Sequence, residues 1–395
     1  MSSRNIFFAV FASVFVLVAG IFFFMAAGSV YSPEKDTKEQ EDIVKNNSFD
    51  EVSEIVSTLS LEEKIGQMFF LGIWSKDGND KLVQLVDEGR VGGVLIMGPN
   101  VGTYDETKEL ISRIHDAGKK LSGLPVFVAV DQEGGIVSRL RFEGFELTAQ
   151  SDIKSETQAK EVAMERARDL TGLGINLNFS PVVEHISDAD SFLYKRTFRA
   201  SKEETGRFSS AMVEGYQKEG IVAVPKHFPG HKDDSVDSHK LLPVAQIRQE
   251  DFLDYLEPFL RVLEENDVSM MMTAHVLFPL VDGEFPATLS EKIINEILRN
   301  EIGYDGVVIT DDMEMKAIQD GFGLENSALS AIKAGNDILL YVSVPERQER
   351  VFNAVLEAVK SGDISESRID ESVKRIVKLK LELLKEKETG QRGVI

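Results

Sequence analysis

Between Lys226 and His239 the chain reads KHFPGHKDDSVDSH, which gathers three of its six histidines and three aspartates into fourteen residues. Imidazoles and carboxylates at this density can hold a metal ion, move protons, or simply line a charged loop. A zinc site drawn from His227, His231 or His239 with Asp233 is disfavoured locally. Histidines four apart ligate best on a helix, and Pro229 and Gly230 interrupt one here. No metal or other cofactor is therefore expected. Asp237 and His239 are one residue apart, and in an extended loop that spacing puts both side chains on the same side. A carboxylate touching an imidazole orients it and favours its protonated form, so the pair can serve as general acid and then as base. An exposed charged loop has the same letters, and only the surroundings separate the two readings.

A second carboxylate stands in VVITDDMEM, where Asp311 is the first acid after an apolar run and Asp312 follows it. Successive residues of an extended segment point in opposite directions, so one of the two is expected to face a pocket. A carboxylate opposite an acid/base group is the minimal equipment for displacement at the anomeric carbon of a sugar. Asp131 in VDQEGG can bind hydroxyls, with Gly134 and Gly135 permitting a tight turn, and Arg139 lies close enough along the chain to reach the same place. No phosphate-binding glycine loop is present, neither GxxxxGK[ST] nor a GxGxxG that opens a helix.

These residues need a frame that brings them together. From about residue 52, eight short apolar runs alternate with amphipathic helical stretches: 66–74, 91–98, 124–130, 175–183, 221–228, 268–276, 306–312 and 336–343. Most are apolar over consecutive residues, as strands buried on both faces should be. One helical stretch, SETQAKEVAMERARDLTGLG, carries a capping Ser155 and stops at Gly172 or Gly174. Eight strands with intervening helices predict a (β/α)8 TIM-type barrel, with an open doubly wound sheet as the alternative. Asp131, Lys226, His227, His275 and Asp311 each close one of the runs. Barrel sites are assembled at that end of the strands, so these residues are expected to converge on one polar pocket.

Composition narrows the partners. The 66 acidic and 44 basic residues leave a formal charge of −22, which repels nucleic acid and anionic lipid surfaces at long range. There is no cysteine, hence no disulfide, thiolate nucleophile or lipidated cysteine. Residues Ile6–Ala27 are apolar apart from Ser13 and Gly20, and at helical rise they extend about 33 Å, enough to cross a bilayer. This length exceeds that of a signal-peptide core, which predicts an uncleaved anchor with the short N-terminus inside and the rest of the chain outside. If the segment were cleaved, the protein would be secreted. The expected organisation is an anchor over 1–31, a polar linker over 32–51, a barrel with C-terminal helices over 52–388, and a tail over 389–395. The chain is expected to act as a monomer.

VDQEGGIVSRL, NLNFSPVVE, KRTF, KHFPGH followed by DSH, MTAH, PATLS and GYDGVVITDDMEM, in that order over roughly residues 52–385, resemble the bacterial β-N-acetylhexosaminidases of glycoside hydrolase family 3. The resemblance implies a retaining mechanism with Asp311 as nucleophile, His239 as acid/base and Asp237 as its partner. It further implies that Asp131, Arg139, Arg196, Lys226 and His227 hold a terminal N-acetylglucosamine. The chain departs from the family pattern at Lys232, where a glycine is usual, at Asp234, where a threonine is usual, and at Ile136, where an arginine is usual. Phosphorolysis is an alternative within the fold, because an imidazole acid/base leaves one negative charge fewer at the site. The histidine loop and the short C-terminal remainder oppose a β-glucosidase. A tethered sugar-binding protein without turnover is opposed by the intact Asp311, Asp237 and His239.

Overall fold

The computed structural model describes residues 51–122, 124–233, 236–342 and 344–389. Eight parallel strands form a ring: β1 (Phe69–Gly72), β2 (Gly93–Ile96), β3 (Phe127–Val130), β4 (Leu177–Asn178), β5 (Val222–Ala223), β6 (Met270–Thr273), β7 (Val307–Asp312) and β8 (Ile338–Val342). Each lies inside one of the eight apolar runs. Their hydrogen-bonded order is β5-β4-β3-β2-β1-β8-β7-β6. The remaining gap, between β5 and β6, is bridged by Met272 N–H to Pro225 O, Phe228 N–H to Met272 O and Ala274 N–H to Phe228 O. The parallel sheet thus curls round on itself as a TIM-type barrel rather than an open sheet.

Two strands are short for a local reason. Pro181 and Pro225 follow β4 and β5 closely and supply no N–H to a ladder. Side chains take over part of that work at β4. Asn176 accepts from Val128 N–H and donates to Val126 O, while Asn178 accepts from Gln132 N–H and donates to Gln132 O. Both asparagines are buried, and their amides mimic the missing backbone pairing.

The helices form the outer layer. Glu156–Leu173 starts at Ser155, whose side chain accepts from Gln158 N–H, and ends at Gly174 with φ 92°, so Gly174 rather than Gly172 supplies the stop. At the opposite end of the barrel from the site, the helix Glu366–Thr389 buries Ile369, Val373, Ile376 and Val377. It also inserts Lys380 into the protein. The Lys380 Nζ donates to Gln67 Oε1 at 2.6 Å and Gly92 O at 2.8 Å, and burial pushes its pKa down to about 7.

The barrel unit begins at Val52. The expected anchor, nearly all of the expected linker, the expected tail from 390 and the departure at Asp234 lie outside the described residues. Among the described residues, no helix is long and apolar enough to cross a membrane.

Candidate active site

The carboxyl ends of the strands surround a cleft of about 390 Å³, lined among others by Asp131, Arg139, Arg196, Lys226, His227, His239 and Asp311. Asp131 is the first residue after β3, Lys226 and His227 follow β5, and Asp311 is the penultimate residue of β7. Asp237 is held at the edge by its contact with His239. The eight residues that the family resemblance implies for the site are therefore brought to one place, whereas His275 is not.

Their charges are shared along a chain. Lys226 Nζ lies 2.8 Å from Asp131 Oδ1 and 2.7 Å from Glu133 Oε1. Arg196 clamps Glu133 with two bonds, Nε to Oε2 at 2.9 Å and Nη2 to Oε1 at 2.7 Å. Arg139 Nη2 approaches Asp131 Oδ2 at 3.6 Å. Burial alone would raise the Glu133 pKa, but Arg196 and Lys226 outweigh it and hold the carboxyl at about 2. Burial likewise works against the Lys226 ammonium, and Asp131 and Glu133 keep it charged. Cations fixed in this way donate without rearranging, which suits recognition of sugar hydroxyls. Glu133 was not singled out from the sequence, although VDQEGG contains it.

Asp311 stands beside this network. Its Oδ1 accepts the Asp312 N–H at 2.8 Å, and His227 Nε2 lies 4.0 Å from its Oδ2. Burial would raise its pKa, yet His227, His275, the Asp312 N–H and Lys226 bring it to about 2. The carboxylate is ionised at neutral pH, as a nucleophile requires. Asp312 also borders the cleft, contrary to the expectation that only one of the two acids would. Its Oδ1 is committed to the N–H groups of Val342 and Glu314, both at 3.0 Å. Burial, together with the neighbouring Asp311 and Glu314, outweighs those bonds and raises its pKa to about 7.

His239 Nδ1 lies 2.9 Å from Asp237 Oδ1, and the same oxygen accepts the His239 backbone N–H at 3.0 Å. The pair meets through a turn rather than the extended segment expected, because the Asp237 side chain caps its own backbone two residues on. Lys240 and Leu241 N–H both donate to Asp237 O, which closes the turn. Burial would raise the Asp237 pKa, but the bonds from His239 prevail and lower it. The loop is tied down by Asp233, which accepts from Ser187 N–H at 2.5 Å, Ser187 Oγ at 2.6 Å and Asp188 N–H at 3.1 Å. It is also tied by Ala317 N–H to Ser238 O.

Other placements differ from expectation. His275 does not line the cleft. It is fully buried, with Nδ1 at 2.8 Å from Thr288 Oγ1 and Nε2 at 3.0 Å from Asp312 O, so it braces β7 from behind. His227 and His231 do converge, despite the Pro229–Gly230 interruption, on Glu184. One ligand atom from each of the three lies within 4.8 Å of the others, a spacing that could accept a metal ion. The third member, Glu184, comes from the segment after β4, 43 residues earlier than His227, a grouping that helical spacing does not address. His239 and Asp233 are not part of that group. Trp74 is 59% exposed at the rim, with the Arg139 guanidinium 5.9 Å from its ring centroid. Ile136 is exposed at the surface.

A parallel barrel whose strand ends present an ionised carboxylate, a histidine–aspartate pair and a fixed cation network is a barrel of the glycosidase class. Residues 60–379 match the Glycosyl hydrolase family 3 N terminal domain, and the chain belongs to this family. It is 32% identical over 338 residues to beta-hexosaminidase LpqI of Mycobacterium tuberculosis, covering 82% of this chain and 84% of that protein. It is 30% identical over 334 residues to beta-hexosaminidase A of Pseudoalteromonas piscicida, covering 77% of this chain but only 55% of that longer protein. The solved structure of a glycoside hydrolase family 3 beta-N-acetylglucosaminidase from Paenibacillus sp. superposes with a TM-score of 0.77 at 34% identity, over 86% of this chain and 64% of that one.

Proposed function

We propose that the protein is an exo-acting, retaining β-N-acetylhexosaminidase. The observation that carries the reading is the presence of ionised Asp311 and the His239–Asp237 pair around one cleft whose remaining wall is the Asp131–Lys226–Glu133–Arg196 network. In the first step an Asp311 oxygen attacks the anomeric carbon. His239 gives a proton to the glycosidic oxygen, the aglycone leaves as an alcohol, and a glycosyl ester remains on Asp311. In the second step water attacks the same carbon, His239 takes its proton, and Asp311 departs as carboxylate. Two inversions leave the configuration retained. Asp131, Arg139, Arg196, Lys226 and His227 hold the hydroxyls of the terminal sugar.

The substrate class we propose is glycans with a terminal N-acetylglucosamine, including cell-wall muropeptides, acted on by a monomer without cofactor. Ile6–Ala27 would hold the barrel at the outer face of a membrane, and fractionation with protease accessibility tests this. Recovery of the intact chain only from the soluble cytoplasm would refute the anchor. For the activity, the chain is assayed with 4-nitrophenyl β-glycosides of N-acetylglucosamine and glucose, with and without phosphate. Release from the N-acetyl substrate, reduced at least about 10³-fold in Asp311→Ala, is expected. A phosphate-dependent sugar phosphate would reassign the acceptor, and no release from either glycoside would defeat the hydrolase reading.

A further inference from the structure

Glu184 lies behind the cleft wall and is 3% exposed, yet one of its carboxylate oxygens collects three donors. Oε1 accepts the His227 backbone N–H at 3.2 Å, the His227 ring through Nδ1 at 2.9 Å and the His231 ring through Nδ1 at 3.0 Å. Burial would raise the Glu184 pKa, but the two imidazoles overcome it and hold the carboxyl well below the ordinary range. An ionised carboxylate only accepts, so both rings carry a proton at Nδ1. In His231 burial outweighs the attraction of Glu184 and lowers the pKa, which leaves that ring neutral with its one ring proton at Nδ1. In His227 the occupied Nδ1 turns Nε2 toward Asp311 Oδ2.

The two rings have different jobs. His227 borders both the nucleophile and the sugar-binding network. His231 follows the Pro229–Gly230 break and forms the root of the loop that carries Asp237 and His239. A single buried carboxylate therefore fixes the ring facing the nucleophile and the base of the acid/base loop in one grip. We propose that Glu184 is a positioning residue for both halves of the reaction, setting the orientation of the His227 ring and the seat of the His239 loop; this rests on the hydrolase reading above. The competing occupant of the cluster is a divalent cation. The separations favour shared protons, since they fall in the hydrogen-bond range and the same oxygen already serves the His227 N–H.

The test uses the full chain as wild type, Glu184→Ala and Glu184→Gln. Glu184→Ala should lose about 10²-fold in kcat, the cost of a misplaced catalytic group. Added formate, small enough to sit between two imidazoles, should restore part of that loss and have no effect on wild type. Independently of turnover, the downfield imidazole N–H resonances of His227 and His231 should vanish in Glu184→Ala and return with formate. Should Glu184→Ala not fold, Glu184→Gln keeps the shape without the charge, and it should fold, lose kcat and shift both resonances upfield. Wild-type kcat in either folded variant, or a folded Glu184→Ala that formate does not rescue, would overturn the assignment. So would zinc bound stoichiometrically to purified wild type and lost from Glu184→Ala. If wild type releases no sugar while the resonances behave as described, the hydrolase reading fails, and only the grip of Glu184 on the two rings stands.

Discussion

Each charged residue of the cleft is set by a named neighbour, and this makes its contribution separable. Asp311 and Glu133 both titrate near 2, so neither limits activity at mildly acidic pH. Asp237 Oδ1 accepts from both the ring and the backbone N–H of His239, and Asp237→Asn removes the carboxylate that orients the imidazole. We expect the variant to lose about 10²-fold in kcat, the cost of a misplaced catalytic group; an unchanged kcat would remove Asp237 as the residue that orients His239. His239→Ala should cost about 10²–10⁴-fold with an alkyl aglycone but much less with 4-nitrophenol, which departs without a proton. Equal losses on the two substrates would contradict the assignment.

Among the elements, the loop from Pro229 to Leu241 carries the acid/base pair, and Asp233 makes one of the ties that hold it to its neighbours. Asp233→Ala frees Ser187 and Asp188 from the loop and should destabilise the protein by only about 1–2 kcal/mol, the net value of such hydrogen bonds. The larger effect should be a fall in kcat together with faster proteolytic cutting of the loop. Unchanged proteolysis and kcat would show that Asp233 does not hold it. At the far end of the barrel, the helix Glu366–Thr389 is pinned by Lys380, whose amine titrates at about 7 against 10.5 for a free lysine. Between those values the unfolded chain binds a proton that the folded chain does not. Stability from this group is therefore lost as pH falls toward 7 and gained as pH rises toward 10.5. Lys380→Met should flatten that slope, measured as urea midpoints at about pH 7 and about pH 10. A slope identical to wild type would mean the amine is not buried uncharged.

For the whole molecule, the barrel unit from Val52 holds every residue assigned to the chemistry. A chain starting at Val52 should match the kcat/KM of the full chain on a soluble glycoside, and a large loss would show that the first 51 residues shape the site. The eight strands were legible beforehand because strands buried on both faces must be continuously apolar, and those runs stand out in the sequence. Asp131, Lys226, His227 and Asp311 were legible because a polar residue closing such a run lies at the barrel mouth, while Arg196 emerged only from the family resemblance. His275 shows the limit of that rule: it closes β6 in the same way, but its ring is used up by Thr288 and the Asp312 carbonyl behind the cleft. What only the tertiary structure decided are the partnerships across the ring. Glu133 meets Lys226 and Arg196, and Glu184 meets His227 and His231, over separations of 43 to 93 residues. Sequence periodicity records which face of a strand is buried. It does not record which side chains from different strands share a proton or a charge, since that depends on how the ring closes.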